Sequence, residues 1–307
     1  MRIAAMAAGG VGGYYGARLA AAGHDVFFIA RGAHKAAIEK NGLTLERPEG
    51  NVHIPKANVT DDPTKVGPVD IVLFAVKLWD TEAAAQATRP MVGPHTRVIP
   101  LQNGINSYET IAPILGVENT AAGVTYVATV IDRPGVIRQD GTFQSIICGR
   151  VDGRPDPQLQ AFVDAGKAAG IEISLSDNIQ RDRWHKYIFL TATSGATAVT
   201  RKTMGPILAD PDTRRMFHNI MRETLKVGQA KGVAIEDSYL EQRMAFADKS
   251  VPANMKASMA NDLDRGNRLE LDWLAGTVSR LGRELGVPTP VNDTVYAALK
   301  LHRMGKS

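Results

Sequence analysis

The stretch MRIAAMAAGGVGGYYGARLAAAGHDVFFIAR, residues 1–31, decides how the rest of the chain is read. Ile3 to Met6 is a short apolar run with the character of a buried strand, and it ends in Ala7-Ala8-Gly9-Gly10-Val11-Gly12-Gly13. Tyr14 to Ala22 has helical composition, Gly23 stops that helix, and Val26 to Ala30 reads as a second strand. Strand, glycine loop, helix, strand is the order of a dinucleotide-binding βαβ unit. Glycines let the backbone approach a pyrophosphate closely, and a helix N-terminus aims unpaired N–H groups at it. Gly9, Gly10, Val11 and Gly12 are therefore the candidate phosphate contacts. In this register Ala7 stands where a first glycine is usual, a change that costs about 1 kcal/mol if the turn needs a left-handed φ. Taken alone, the loop also admits a plainer reading as a glycine-rich turn without a cofactor.

Residue 31 bears on which dinucleotide is bound. A carboxylate at the end of the second strand would hold the ribose 2′-OH of NAD, whereas Arg31 suits a 2′-phosphate. The expectation is an NADP(H) site, against the simpler alternative of a solvated surface arginine.

A chain of 307 residues buries a large core and predicts two domains. Hydrophobic residues at 44% and charged ones at 22% are ordinary for a globular protein. The net charge of +4 is scattered, which suits anionic small molecules better than nucleic acid. No apolar run reaches the length of about 18 residues that a membrane span needs, and the apolar start leads into a glycine loop where a signal peptide would show a charged segment and a cleavage site. Cys148 is the single cysteine, so no intrachain disulfide forms, in keeping with a cytoplasmic setting. The seven histidines show no metal-ligand spacing, and no metal is expected.

Leu43–Glu46 and Val52–Ile54 read as short, peripheral strands. Asp70 to Val76 is nearly continuous in apolar residues, as in a parallel strand buried on both faces, and it delivers Lys77 at its carboxyl end. A helix over Thr81–Thr88 leads to the strand Val98–Leu101, which delivers Gln102-Asn103-Gly104 at the same edge, where ligands of open α/β sheets bind. Thr125–Ile131, Val136–Gln139 and Gln144–Ile147 are β-rich, with turns at Arg133-Pro134-Gly135 and Asp140-Gly141, and are expected to extend that sheet antiparallel. A helix over Pro157–Ala169 and a strand over Ile171–Leu175 follow. Beyond Asp177 only helical segments are expected, at about 179–198, 211–231, 236–248, 255–264, 268–285 and 290–303, broken at Gly205-Pro206, Gly232 and Gly286-Val287-Pro288. The fold class is α/β: a dinucleotide-binding domain over 1–177, then an all-helical domain over 178–307.

Two places carry further chemistry. Arg181-Asp182-Arg183-Trp184-His185-Lys186-Tyr187-Ile188 sets a lysine among aromatic and apolar residues. Burial lowers a lysine's pKa toward neutrality and makes it a proton donor for a carbonyl receiving hydride; the plain alternative is a surface lysine on an amphipathic helix. Ser258 and Asp262, four apart on one helix face, with Glu270 beyond them, offer hydroxyl and carboxylate groups that bind a small polar substrate or orient the lysine; the plain alternative is helix capping by Asn254 or Ser258 and a solvated acidic face.

These features together resemble the ketopantoate reductase (2-dehydropantoate 2-reductase) family. The resemblance rests on residues 2–32, on FAVK ending at Lys77, PLQNGINS around Asn103, WHK at Trp184–Lys186 and SMANDLDRGNRLELD from Ser258 to Asp272. It implies a Rossmann-type domain followed by a helical one, NADPH as hydride donor, and reduction of a 2-oxo acid to a 2-hydroxy acid, as in pantothenate biosynthesis. It further implies Lys186 as general acid, Glu270 as its carboxylate partner, Asn103 and Ser258 as substrate and cleft ligands, Arg31 at the 2′-phosphate and Lys77 beside the cofactor. A homodimer through the helical domain is common for such a layout. The family usually carries asparagines four and eight residues after the lysine, where this chain has Leu190 and Ser194. Those two positions, also placed at the substrate, leave the hydride machinery intact and open the identity of the substrate: another carbonyl, or an imine, remains an alternative, as does a non-catalytic NADP(H) sensor.

Overall fold

A computed structural model describes residues 1–306, which divide into two compact units, Met1–Asp182 and a second from Arg183 onward. The first unit contains β1 (Arg2–Met6), α1 (Gly10–Ala21), β2 (Asp25–Ile29), α2 (Gly32–Asn41), β3 (Leu43–Glu46), β4 (Val52–Ile54), β5 (Asn58–Thr60), β6 (Val69–Phe74), α3 (Thr81–Thr88), β7 (Val92–Pro100), α4 (Ser107–Leu115), β8 (Ala122–Arg133), β9 (Val136–Gly149), α5 (Pro157–Ala168) and β10 (Glu172–Leu175). Five strands form a parallel sheet in the order β5-β2-β1-β6-β7. The chain reverses its direction of travel across the sheet between β1 and β6, the place where open α/β sheets leave a crevice at their carboxyl ends.

The strand β1 is short, yet it joins two cores because its side chains alternate. Ile3 and Ala5 pack with Tyr14, Tyr15 and Leu19 of α1, while Ala4 and Met6 pack with Ala84, Ala85 and Ile111 on the other face. Gly16 lets α1 settle on β2, since a Cβ there would lie 2.7 Å from the Phe28 ring.

Beyond one parallel bridge between Thr120 and Val98 of β7, the segment 120–149 does not extend the first sheet, contrary to the sequence expectation. It forms a second sheet, β10-β9-β3-β4, with β8 antiparallel to β9. Its apolar residues Ile137, Ile146 and Cys148 share a core with α1, and the Tyr15 hydroxyl meets Thr125 Oγ1 at 2.6 Å. Leu43 and Leu45, read as peripheral, are fully buried because β3 runs parallel to β9 in this layer. The turn expected at Asp140-Gly141 is a bulge inside β9: pairing steps from Thr129↔Gln139 to Val127↔Gln144, with Gly141 at φ +73°.

From Ile179 onward the described chain holds α6 (Ile179–Thr200), α7 (Met204–Ala209), α8 (Pro211–Ala230), α9 (Ser238–Ser250), α10 (Ser258–Arg265), α11 (Ala275–Leu285) and α12 (Pro290–Lys300). The division between units falls within α6. Gly205-Pro206, expected as a break, lies inside the first turn of α7. Proline is tolerated there because its missing N–H has no helical acceptor, and the Met204 and Gly205 amides donate to Met255 and Ala253 carbonyls at 3.0 and 2.8 Å. Glu223 on α8 accepts the amides of Val291 and Asn292 at 2.9 Å each, so one buried carboxylate satisfies the start of α12.

Candidate functional site

The first group of candidate residues gathers at the carboxyl edge of the parallel sheet. At the end of β1 the Ala8 amide donates to the Ile29 carbonyl at 2.8 Å, and the Ala75 amide donates to the Met6 carbonyl, so the loop is tied to both neighbouring strands. The first bond of α1 is Gly13 N–H to Gly9 carbonyl, 2.8 Å. This leaves the amides of Gly10, Val11 and Gly12 without a helical acceptor, and Gly9 provides no side-chain cap. Ala7 brings no left-handed strain, because Arg201 is the one non-glycine residue with positive φ among the described residues.

The glycines divide by what surrounds them. A Cβ at Gly12 would overlap the Ala7 carbonyl oxygen, and one at Gly10 would lie 2.7 Å from the Thr129 carbonyl oxygen. A Cβ at Gly9 would meet nothing within 4 Å. Protein packing therefore demands glycine at 10 and 12, whereas Gly9 leaves open space beside three unpaired amides.

Sequence reasoning missed His34. Its Nδ1 accepts the Gly135 amide at 3.1 Å, which leaves Nε2 to donate to the Ala8 carbonyl at 3.0 Å. Burial pushes its pKa below the ordinary histidine value, in keeping with this neutral ring. No spacing signal marks it, since its partners lie 26 and 101 residues away.

Arg31 is exposed and occupies the N-cap position of α2 directly beyond β2. Lys77 is exposed after β6, its Nζ 5.6 Å from the centre of the Trp79 ring. Asn103 follows β7 and is half-buried. Gln102 braces the edge: its Nε2 donates to the Val76 carbonyl and to Thr81 Oγ1, both at 2.9 Å.

The second group lies in the helical unit. Lys186 on α6 is half-buried, and desolvation pushes its pKa down to about 8 against the opposing pull of the Glu270 charge. Glu270 is 9% exposed and sits between Leu269 and Leu271, both buried. Tyr187, again missed from sequence, donates its hydroxyl to the Leu274 carbonyl at 2.7 Å and so holds α6 against the Glu270 segment. Trp184 meets Tyr187 edge-on at 5.6 Å and fills the space left by Gly228.

Leu190 and Ser194 follow Lys186 at helical spacing. Leu190 is half-buried; Ser194 is 1% exposed, and its Oγ has no hydrogen-bond partner. Ser258 is exposed at the first position of α10, where Ala257 is the N-cap and no side chain caps the helix, so neither Asn254 nor Ser258 plays that part. Asp262 accepts Asn267 Nδ2 at 3.1 Å near the end of α10. Among the described residues no cluster of three or more His, Cys, Asp or Glu side chains is fit to hold a metal ion, and no helix is long and apolar enough to cross a membrane.

Residues 3–153 match the family described as ketopantoate reductase PanE/ApbA, and residues 178–303 match its C-terminal counterpart. An uncharacterized oxidoreductase of Bacillus subtilis, YkpB, is 29% identical over 306 residues, covering 100% of each chain. A 2-dehydropantoate 2-reductase of Mesorhizobium japonicum is 30% identical, covering 98% of this chain and 97% of its own. The crystal structure of a PanE/ApbA family ketopantoate reductase from Ralstonia eutropha superposes with a TM-score of 0.90 at 34% identity, covering 99% and 98% of the two chains. D-mandelate dehydrogenase shares the fold at 23% identity, with a TM-score of 0.90.

Proposed function

The chain belongs to the ketopantoate reductase family, and from that premise we propose that it is an NADPH-dependent reductase of a small 2-oxo acid, with 2-dehydropantoate the leading substrate. The observation that carries this reading is Lys186: a half-buried amine beside a buried carboxylate, with its pKa drawn down to about 8. Such an amine is protonated at neutral pH and still a competent acid.

The residues at the sheet edge suit a dinucleotide. The space over Gly9 and the unpaired amides at 10–12 suit a pyrophosphate. Arg31, exposed and making no side-chain hydrogen bond or ion pair among the described residues, suits a 2′-phosphate. Lys77 and Asn103 at the ends of β6 and β7 serve the nicotinamide side of the same edge. When bound, the reduced cofactor supplies the hydride. Lys186 then gives its proton to the substrate's carbonyl oxygen, and Glu270 orients that amine and favours its charged form. Ser194, with its buried unpartnered hydroxyl, and Ser258 bind the remaining polar groups of the substrate. Leu190 offers only apolar contact, which favours a 2-oxo acid with a less polar tail as the second reading.

The test is NADPH oxidation, followed optically, with purified protein and a panel of 2-oxo acids that includes 2-dehydropantoate. Turnover on at least one supports the reading. Tight NADPH binding without turnover on any favours a non-catalytic sensor.

A further inference from the structure

Helix α9 lays Tyr239, Arg243 and Phe246 at i, i+4 and i+7 along one face toward α6. The Tyr239 ring stacks on His185 at 3.9 Å and 10°, and its hydroxyl donates to the His185 carbonyl at 2.9 Å. Phe246 meets Phe189 at 5.6 Å, and Phe189 meets Phe217 of α8 at 5.8 Å. A guanidinium stands in the middle of this aromatic seam: Arg243 Cζ lies 5.2 Å from the Tyr239 ring centre and 4.8 Å from that of Phe246.

Arg214 of α8 has a bidentate partner in Asp248, and Arg215 and Arg280 pair with Asp212 and Glu284. Arg243 pairs with no carboxylate among the described residues, and its Nε is buried with no hydrogen-bond partner. A buried N–H of this kind calls for an acceptor that the chain does not supply. Rings on which the guanidinium rests fix its plane, and its N–H edge matches the two oxygens of a carboxylate. His185 and Phe189, whose rings meet Tyr239 and Phe246, immediately precede Lys186 and Leu190 on α6. The cation therefore lies alongside the stretch of helix that carries the amine.

We propose that Arg243 is the receptor for the carboxylate of the substrate; the identity of that acid as a 2-oxo acid rests on the reductase reading. The probe is oxamate, a small anionic relative of a 2-oxo acid, titrated calorimetrically into the full chain loaded with NADPH, with uncharged oxamide as control. Wild type is expected to bind oxamate. Arg243→Gln should weaken that binding roughly 10- to 150-fold and leave oxamide unchanged. Arg243→Lys, which keeps the charge and loses the fork, should fall between them, and it serves alone if the glutamine variant does not fold. Melting curves check that each variant is folded. Equal oxamate affinity in wild type and variants, or none in wild type, overturns the proposal. Arg243-dependent oxamate binding without turnover of any 2-oxo acid would instead leave the anion site standing and remove the reductase reading.

Discussion

The hydroxyl of Tyr187 donates a 2.7 Å hydrogen bond to the Leu274 carbonyl, tying the helix that carries Lys186 to the segment that carries Glu270. Tyr187→Phe removes the donor and keeps the ring; the Leu274 carbonyl retains the Thr277 and Val278 amides at 3.1 and 3.2 Å, so the cost is that of one hydrogen bond, about 0.5–1.5 kcal/mol. A lower urea midpoint with an unchanged m-value is expected. In steady-state kinetics, kcat should fall while KM for NADPH stays put, because the tie positions the amine and leaves the cofactor edge alone.

Two glycines three residues apart should behave oppositely. Gly12→Ala places a methyl group against the Ala7 carbonyl oxygen, a backbone atom that cannot swing away, and should cost 1–3 kcal/mol or more of stability, on the order of other overpacking changes. Gly9→Ala meets no protein atom, so its melting temperature should match wild type while its Kd for NADPH rises. Fluorescence titration alongside thermal melts separates the two effects. Unaltered NADPH affinity in Gly9→Ala would remove the pyrophosphate from that space.

Arg31→Ala should weaken NADPH binding by roughly 10- to 150-fold, the loss of one charge-assisted contact of about 1.5–3 kcal/mol, and barely change NADH binding. Equal losses for both cofactors would mean that Arg31 does not read the 2′-phosphate.

The first unit was legible where its physics is local. A strand buried on both faces is nearly continuous in apolar residues, as Ile71 to Phe74 shows, and the glycine loop announces the helix that follows. The second sheet was not, because β9 finds β3 about ninety residues back in the chain and no periodicity records that pairing. Pro206 misled because a proline in a first helical turn looks in sequence like a stop. At the sites, Lys186 stood out as a lysine among aromatics. His34, Tyr187 and Arg243 did not, since each matters only through residues that folding brings to it.

In the proposed function Leu190 and Ser194, which follow Lys186 at helical spacing, face the substrate. Replacing both with asparagine should raise kcat/KM for 2-dehydropantoate and lower it for 2-oxo acids with apolar tails, since an apolar wall discriminates by only about 1–3 kcal/mol and a hydrogen-bonding one by far more. A wild-type kcat/KM near ~10⁵ M⁻¹s⁻¹ for 2-dehydropantoate, ordinary for an enzyme's own substrate, would show that the leucine is neutral.

Proton donation by Lys186, as proposed, carries a pH dependence that follows from burial. Desolvation sets the amine near 8 against an ordinary 10.5, so the folded chain releases this proton before the unfolded chain does. The burial therefore costs stability below pH 8, and the cost fades as pH rises toward 10.5. Activity runs the other way, because the donor must be charged. The most direct measurement is the pH profile of kcat/KM for 2-oxo acid reduction by wild type and by Lys186→Ala, with NADPH affinity measured in parallel. Expected are a wild-type plateau at low pH that falls about tenfold per pH unit beyond roughly 8, and a Lys186→Ala rate ~10²–10⁴-fold lower with that limb gone and NADPH binding retained. A wild-type profile flat through pH 9.5, or a Lys186→Ala rate within threefold of wild type, would contradict proton donation by Lys186.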